Sequence, residues 1–282
     1  MKWDGGWLWM RWAWALAVLI THLPRARGIT DAYASSDMVF EDTLLHVNAW
    51  LPMTPALAWV LWGLAIVAAL LVAQGRFAKP ALLVWLPFYW ILLSAEALNM
   101  KAYDRLLTWL ALALLLAPGS RDLLRSWSDG LARVALILVY AALYGSTGWL
   151  KLLEEPSWLQ GGEVLALHLV HPEFGSALGA KLAPAAPLLA VFTVAAEASF
   201  VFLVWFRRTN PWILAALAGM HLGIAVTMDV GPFGWVALAG YPVLLHPSIA
   251  LGLYSRWRFS RRGRPAGSAG LASGSGVGTP AR

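Results

Sequence analysis

Apolar runs of roughly bilayer length, separated by short polar segments, organise the chain. A helix that crosses a hydrocarbon core needs roughly 20 apolar residues. Runs at 7–23, 55–73, 80–98, 103–117, 131–153, 184–206, 211–228 and 233–245 approach or reach that length. The pattern predicts an all-α, polytopic bundle of about eight transmembrane helices within 1–254, with no soluble domain and no internal repeat. Two longer polar segments interrupt it. In 24–54, Asp31, Asp37, Glu41 and Asp42 stand beside Leu44, Leu45, Val47 and Trp50, a mixture that predicts an amphipathic helix lying on the membrane. In 154–183 a half-buried helix is expected over Glu163–Val170, carrying His168 and His171. Residues 118–130 read as a polar loop. From Ser255 onward arginines alternate with Gly, Ser, Pro and Ala, which predicts a disordered basic tail over 255–282.

Composition agrees with the pattern. Of the 282 residues 60% are hydrophobic and only 13% charged, where a soluble domain carries about a quarter. Trp7, Trp9, Trp12 and Trp14 read as an interfacial belt on the first span. No small-residue cleavage site precedes Pro24, so this span is expected to be retained rather than removed as a signal peptide. The net charge of +6 reflects arginines at helix ends, and nucleic acid is not an expected partner. With eight spans, Lys2, Arg11, Arg76, Lys79, Arg121, Arg125, Arg133, Arg207, Arg208 and the tail arginines fall on one side. Arg25, Arg27, Lys101, Arg105, Lys151 and Lys181 fall on the other. This bias places both termini in the cytoplasm, with the inner membrane as the location if the cell is bacterial. The absence of cysteine excludes disulfides, thiol catalysis and a thiolate metal site.

Titratable residues then gather on the outward side. Glu96, Asn99, Lys101 and Asp104 crowd the turn between spans three and four, and Lys151, Glu154 and Glu155 end span five. Below Lys151, the small residues Gly145, Ser146, Thr147 and Gly148 allow a neighbouring helix to approach closely. At the span end Lys151 either snorkels to headgroups, neutralises Glu154 or Glu155, or serves as a general base. Glu197 and His221 lie at similar depth on consecutive spans and predict a buried pair. That pair either pins two helices together or handles protons and orients a substrate in a cavity. His168, His171, Glu173 and His46 include metal-ligand types, but Pro172 interrupts the spacing, and no metal is expected.

Several of these residues carry a resemblance. Tyr144-x3-Gly148-x2-Lys151 followed by Trp158-x2-Gly161 resembles the fifth-helix pattern of the horizontally transferred transmembrane (HTTM) family, which is related to the membrane domain of vitamin K-dependent γ-carboxylase. In the same order, Leu86-Pro87 with Phe88, Tyr89 and Trp90, the Tyr103-Asp104 helix start, Ala117-Pro118-Gly119, Glu197, and His221-x9-Gly231-x-Phe233 are similar to further family positions. The resemblance spans about residues 8–250. It implies an HTTM-like fold with an outward cavity for a quinone- or lipid-like ligand, with a reduced, vitamin K-like quinone as the cofactor. It makes Lys151 the candidate base, Glu197 and His221 its catalytic companions, and Tyr144, Gly148, Trp158, Lys101 and Asn99 the ligand-binding residues. The partners it implies are the lipid bilayer, that ligand and a separate extracytoplasmic protein.

Departures limit what is carried over. A family histidine is replaced in 99–103 (NMKAY), and the segment between Lys151 and Trp158 is two residues longer. No counterpart of the lumenal domain that binds the glutamate-containing protein is present, so full carboxylation by this chain alone is not expected. The alternative is a non-catalytic membrane scaffold or assembly partner using the same groove. A transporter lacks the expected repeat and paired broken helices.

Overall fold

The computed structural model describes residues 5–29, 53–95, 101–118 and 125–245. The expected surface helix before Trp50, Glu96, Asn99, His46 and the basic tail lie outside these residues. Among the described residues the chain is helical, without a β-strand. Helix α1 (Gly5–His22) runs into a 3₁₀ turn at Pro24–Gly28, followed by α2 (Pro55–Gln74), α3 (Ala78–Ala95) and α4 (Ala102–Leu116). The long α5 (Arg125–Leu153) leads through a 3₁₀ turn at Pro156–Trp158 to α6 (Glu163–Val170) and α7 (Ala177–Leu182). The described residues end with α8 (Ala186–Leu203), α9 (Asn210–Thr227), α10 (Phe233–Leu238) and α11 (Tyr241–Leu244).

Among the described residues, four helices are long and apolar enough to cross a membrane: Pro55–Gln74, Trp127–Leu153, Ala177–Leu203 and Asn210–Thr227. Ala78–Leu93 and Phe233–Leu244 are apolar but shorter. This is a helical membrane protein. Helix α2 shows how local sequence sets such an element. The Thr54 side chain accepts from Leu57 N–H at its start, and Gly75 ends it at φ 81°, a conformation open to glycine at little cost.

Three expectations need correction. The tryptophans of α1 do not form one belt. Trp9 and Trp12 are 65% and 53% exposed, whereas Trp7 and Trp14 are 1% and 0% exposed. Two turns apart, the buried pair shares one face of the helix. Trp7 Nε1–H donates to Asp129 Oδ1 at 2.6 Å, Trp14 Nε1–H to the Leu107 carbonyl at 3.0 Å, and Trp14 meets Trp85 edge-on. Second, part of the expected loop 118–130 is helix, because α5 begins at Arg125. Asp129 is paired there: Arg133 bonds it at 2.9 Å and also donates to the Val243 carbonyl at 2.8 Å.

Third, the span expected at 233–245 is two short helices, broken between α10 and α11. Tyr140 of α5 fills the break. Its hydroxyl donates to the Ala237 carbonyl at 2.6 Å and accepts from Gly240 N–H at 3.1 Å. Backbone groups freed by the break thus find partners inside the protein, as the low-dielectric interior demands. A Cβ on Gly240 would fall 2.5 Å from the Tyr140 hydroxyl, so the insertion requires glycine.

Candidate functional site

One stripe of α5 builds the site. Tyr140, Tyr144, Gly148 and Lys151 follow each other at spacings of three and four, so they share a helix face. Their partners come from α8 and α9 and from the α10–α11 segment.

Gly148 sets the distance between α5 and α8. A Cβ there would meet Ala198 N at 2.5 Å and Glu197 C at 2.8 Å, so the two backbones are in direct contact. One turn further on, this closeness lets Lys151 reach Glu197: Nζ lies 2.7 Å from Oε2, with the side chains 17% and 8% exposed. The aromatic face of Trp158 covers the ammonium, with Nζ 4.4 Å from the ring centre, a distance at which a cation is drawn to the ring. Trp158 is itself held, its Nε1–H donating to Glu155 Oε2 at 2.8 Å.

Lys151, Glu197 and Trp158 line a cavity of about 490 Å³ between the start of α4, the end of α5, and α6, α8, α9 and α10. Its walls are largely apolar, with Leu165, Leu189, Phe192, Met220, Ile224 and Phe233 among them. Lys101 and Tyr103 contribute from the start of α4. The size is that of a pocket for a small organic molecule.

A second layer stands behind the wall. The Tyr144 hydroxyl lies 2.7 Å from His221 Nε2 and 2.7 Å from the Tyr241 hydroxyl, and Phe233 meets the imidazole edge-on. His221 is 1% exposed, and its Nδ1 has no hydrogen-bond partner among the described residues.

The structure therefore rearranges the expected contacts. Glu197 and His221 do not form the anticipated pair: the carboxylate accepts from Lys151, and the imidazole bonds Tyr144. Contact between α5 and α8 at Gly148 brings the lysine to the carboxylate first. Lys151 does not neutralise Glu154 or Glu155, since α5 ends at Leu153 and Glu155 turns to Trp158. Of the expected ligand-binding residues, Lys101 and Trp158 line the cavity, while Tyr144 and Gly148 act from behind it. No group of three or more potential metal ligands occurs among the described residues. His168 Nδ1–H donates to the Val164 carbonyl, His171 Nδ1 accepts from Glu173 N–H, and both rings stack on Phe174.

A further cluster abuts the cavity. Asp104 is wholly buried; it pairs with Arg25 Nη2 at 2.9 Å and accepts from the Tyr89 hydroxyl at 2.6 Å and from Lys101 N–H at 3.0 Å. Arg25 also donates to the hydroxyl of Tyr103 at 3.2 Å. Sequence order offers one signal for this cluster, an acid in the first turn of an apolar helix. Its partners are 79 and 15 positions away, beyond the reach of local pattern. Comparison with protein-family models, with curated proteins and with solved structures yields no match.

Proposed function

We propose that this chain is a membrane protein of the HTTM type, with about eight crossings and both termini in the cytoplasm. It holds a quinone- or lipid-like amphiphile in the cavity at Lys151, Glu197 and Trp158, which opens to the non-cytoplasmic side. One observation carries the reading: a lysine–glutamate pair, with the carboxylate buried and the ammonium half-buried, stands in the wall of a largely apolar cavity of about 490 Å³. Ionisable groups at such depth are costly and are retained where they serve a ligand or a proton.

The residues fit a quinone-like group. The walls would take its apolar ring and tail, and the pair offers a donor at Nζ and an acceptor at Oε2 to a hydroxyl or carbonyl head. A reduced quinone supplies an acidic hydroxyl when bound. A proton moved from Lys151 Nζ to Glu197 Oε2, across 2.7 Å, leaves Nζ a lone pair with which to act as a base. Trp158 shields that amine from water, and Tyr144 fixes the ring of His221 in the second layer.

A second reading, a non-catalytic scaffold, has its own support. The close approach at Gly148 and the Lys151–Glu197 pair fasten α5 to α8 whatever the cavity contains. Organic extraction of the purified protein separates the two. About one equivalent of quinone or lipid-like amphiphile per chain is expected from a pocket of this size. Lys151→Met is expected to lower that occupancy about tenfold, the loss of one charge-assisted contact, in protein that still folds. Reduced yield with unchanged occupancy would instead mark the lysine as a fastening. A wild-type extract without any amphiphile contradicts the binding reading.

A further inference from the structure

The charges around the cavity do not balance. Among the described residues, Lys101 and Lys151 line it, against one carboxylate, Glu197. Glu197 is committed to Lys151 at 2.7 Å, and the same ammonium faces the Trp158 ring. Lys101 has no such arrangement. The nearest acid in its own helix is Asp104, whose Oδ2 is engaged by Lys101 N–H and by Arg25 Nη2, and whose Oδ1 is engaged by Tyr89. Among the described residues, Lys101 Nζ has no hydrogen-bond or ion-pair partner, and its side chain is exposed. Beside it Tyr103 lines the cavity with its hydroxyl bonded to Arg25. Among the described residues, this end of the cavity thus carries positive charge with no carboxylate left to meet it.

A lysine at a helix end commonly turns toward lipid headgroups. Here the same lysine borders a cavity whose walls continue into leucine, phenylalanine and methionine. A headgroup meeting Lys101 can therefore send its chain inward, where burial of each methylene contributes favourably. We infer that the cavity takes an anionic amphiphile, with a phosphate or carboxylate head at Lys101 and a hydrocarbon tail among Leu165, Leu189, Phe192, Met220 and Ile224. This rests on the reading of the cavity as an amphiphile site and narrows the ligand to the charged class. A neutral head forms no ion pair with Lys101; an anionic one does, and leaves the Lys151–Glu197 pair intact.

The test is a titration of the full chain, in a neutral maltoside detergent, with dodecyl phosphate, dodecanol and inorganic phosphate. Dodecyl phosphate is expected to bind about tenfold more tightly than dodecanol, the margin of one charge-assisted contact. Lys101→Gln should erase that margin, read as the ratio of the two affinities within the variant. Lys181→Gln, which removes an exposed lysine outside the cavity lining, should preserve it. Equal affinity for the two amphiphiles, or a margin that survives Lys101→Gln, overturns the anionic assignment while the amphiphile cavity stands. Inorganic phosphate binding as tightly as dodecyl phosphate overturns it too, because the tail then contributes nothing. Failure of both amphiphiles to bind, with no lipid in the extract of the purified protein, removes the cavity reading and this inference together.

Discussion

Glu197→Ala is expected to destabilise the detergent-solubilised protein by about 1–3 kcal/mol, the cost of leaving the half-buried Lys151 ammonium without its partner. The carboxylate is 8% exposed and sits 2.7 Å from Lys151 Nζ, so its removal strands an ammonium in a low-dielectric wall. Trp158 alone compensates poorly, since a cation–π contact contributes about 0.5–2 kcal/mol. Replacing both partners with apolar residues of similar size, as in Lys151→Met with Glu197→Leu, is expected to recover most of the loss, because neither charge then needs solvation. The measurement is thermal or denaturant unfolding followed by tryptophan fluorescence for wild type, Lys151→Met, Glu197→Leu and the double variant. A coupling of about 0.5–3 kcal/mol is typical of residues in contact and is expected here. Additive effects of the two single substitutions would mean that the pair contributes nothing as a pair.

Gly148→Val is the second large effect. A Cβ at this position would stand 2.5 Å from Ala198 N and 2.9 Å from Ala198 Cα. These are backbone atoms, which cannot rotate aside. Helices α5 and α8 must separate, and the reach from Lys151 to Glu197 lengthens with them. Overpacking costs typically 1–3 kcal/mol where side chains can adjust; a backbone collision is expected to exceed that range and to show as lost monodisperse protein. Gly145→Ala provides the graded comparison. Its Cβ would meet only Val201 Cγ2, at 2.8 Å, a methyl group that a rotamer change can move, so a smaller loss is expected. Equal behaviour of the two variants would contradict the view that α5 and α8 meet at Gly148.

Helix placement was largely legible from the apolar runs. The run at 55–73 corresponds to α2 at Pro55–Gln74, and the expected half-buried segment corresponds to α6 at Glu163–Val170. The small residues below Lys151 also pointed to close helix approach, which Gly145 and Gly148 show. Pairings were less legible, because hydropathy gives the depth of a residue but not the rotation of its helix. Glu197 and His221 stand at similar places along consecutive helices, yet turn to different partners. Trp7 and Trp14 looked like membrane-surface residues, yet each buries its ring and gives its N–H to an internal acceptor. The break after α10 was hidden for a related reason. Its apolar residues continue through it, and the signal lies in Tyr140, about a hundred positions earlier. The Asp104 cluster likewise needs Arg25 and Tyr89 from other helices.

The picture that joins these observations is a helical membrane protein whose α5 stripe places an ion pair in the wall of an apolar cavity. Its most direct test uses a glycine on the opposite wall. Gly223 of α9 lines the cavity, and a Cβ there meets nothing within 4 Å. Gly223→Leu should therefore fill the space without a backbone collision, and should gain up to about 1 kcal/mol from helix propensity. The measurement is the amount of amphiphile bound per chain, by native mass spectrometry, in wild-type protein and in Gly223→Leu. Wild type is expected to carry about one equivalent, as a single pocket of this size would, and the variant to carry none at undiminished thermal stability. Equal amounts in the two proteins would place the bound molecules on the outer surface and contradict a ligand in the cavity.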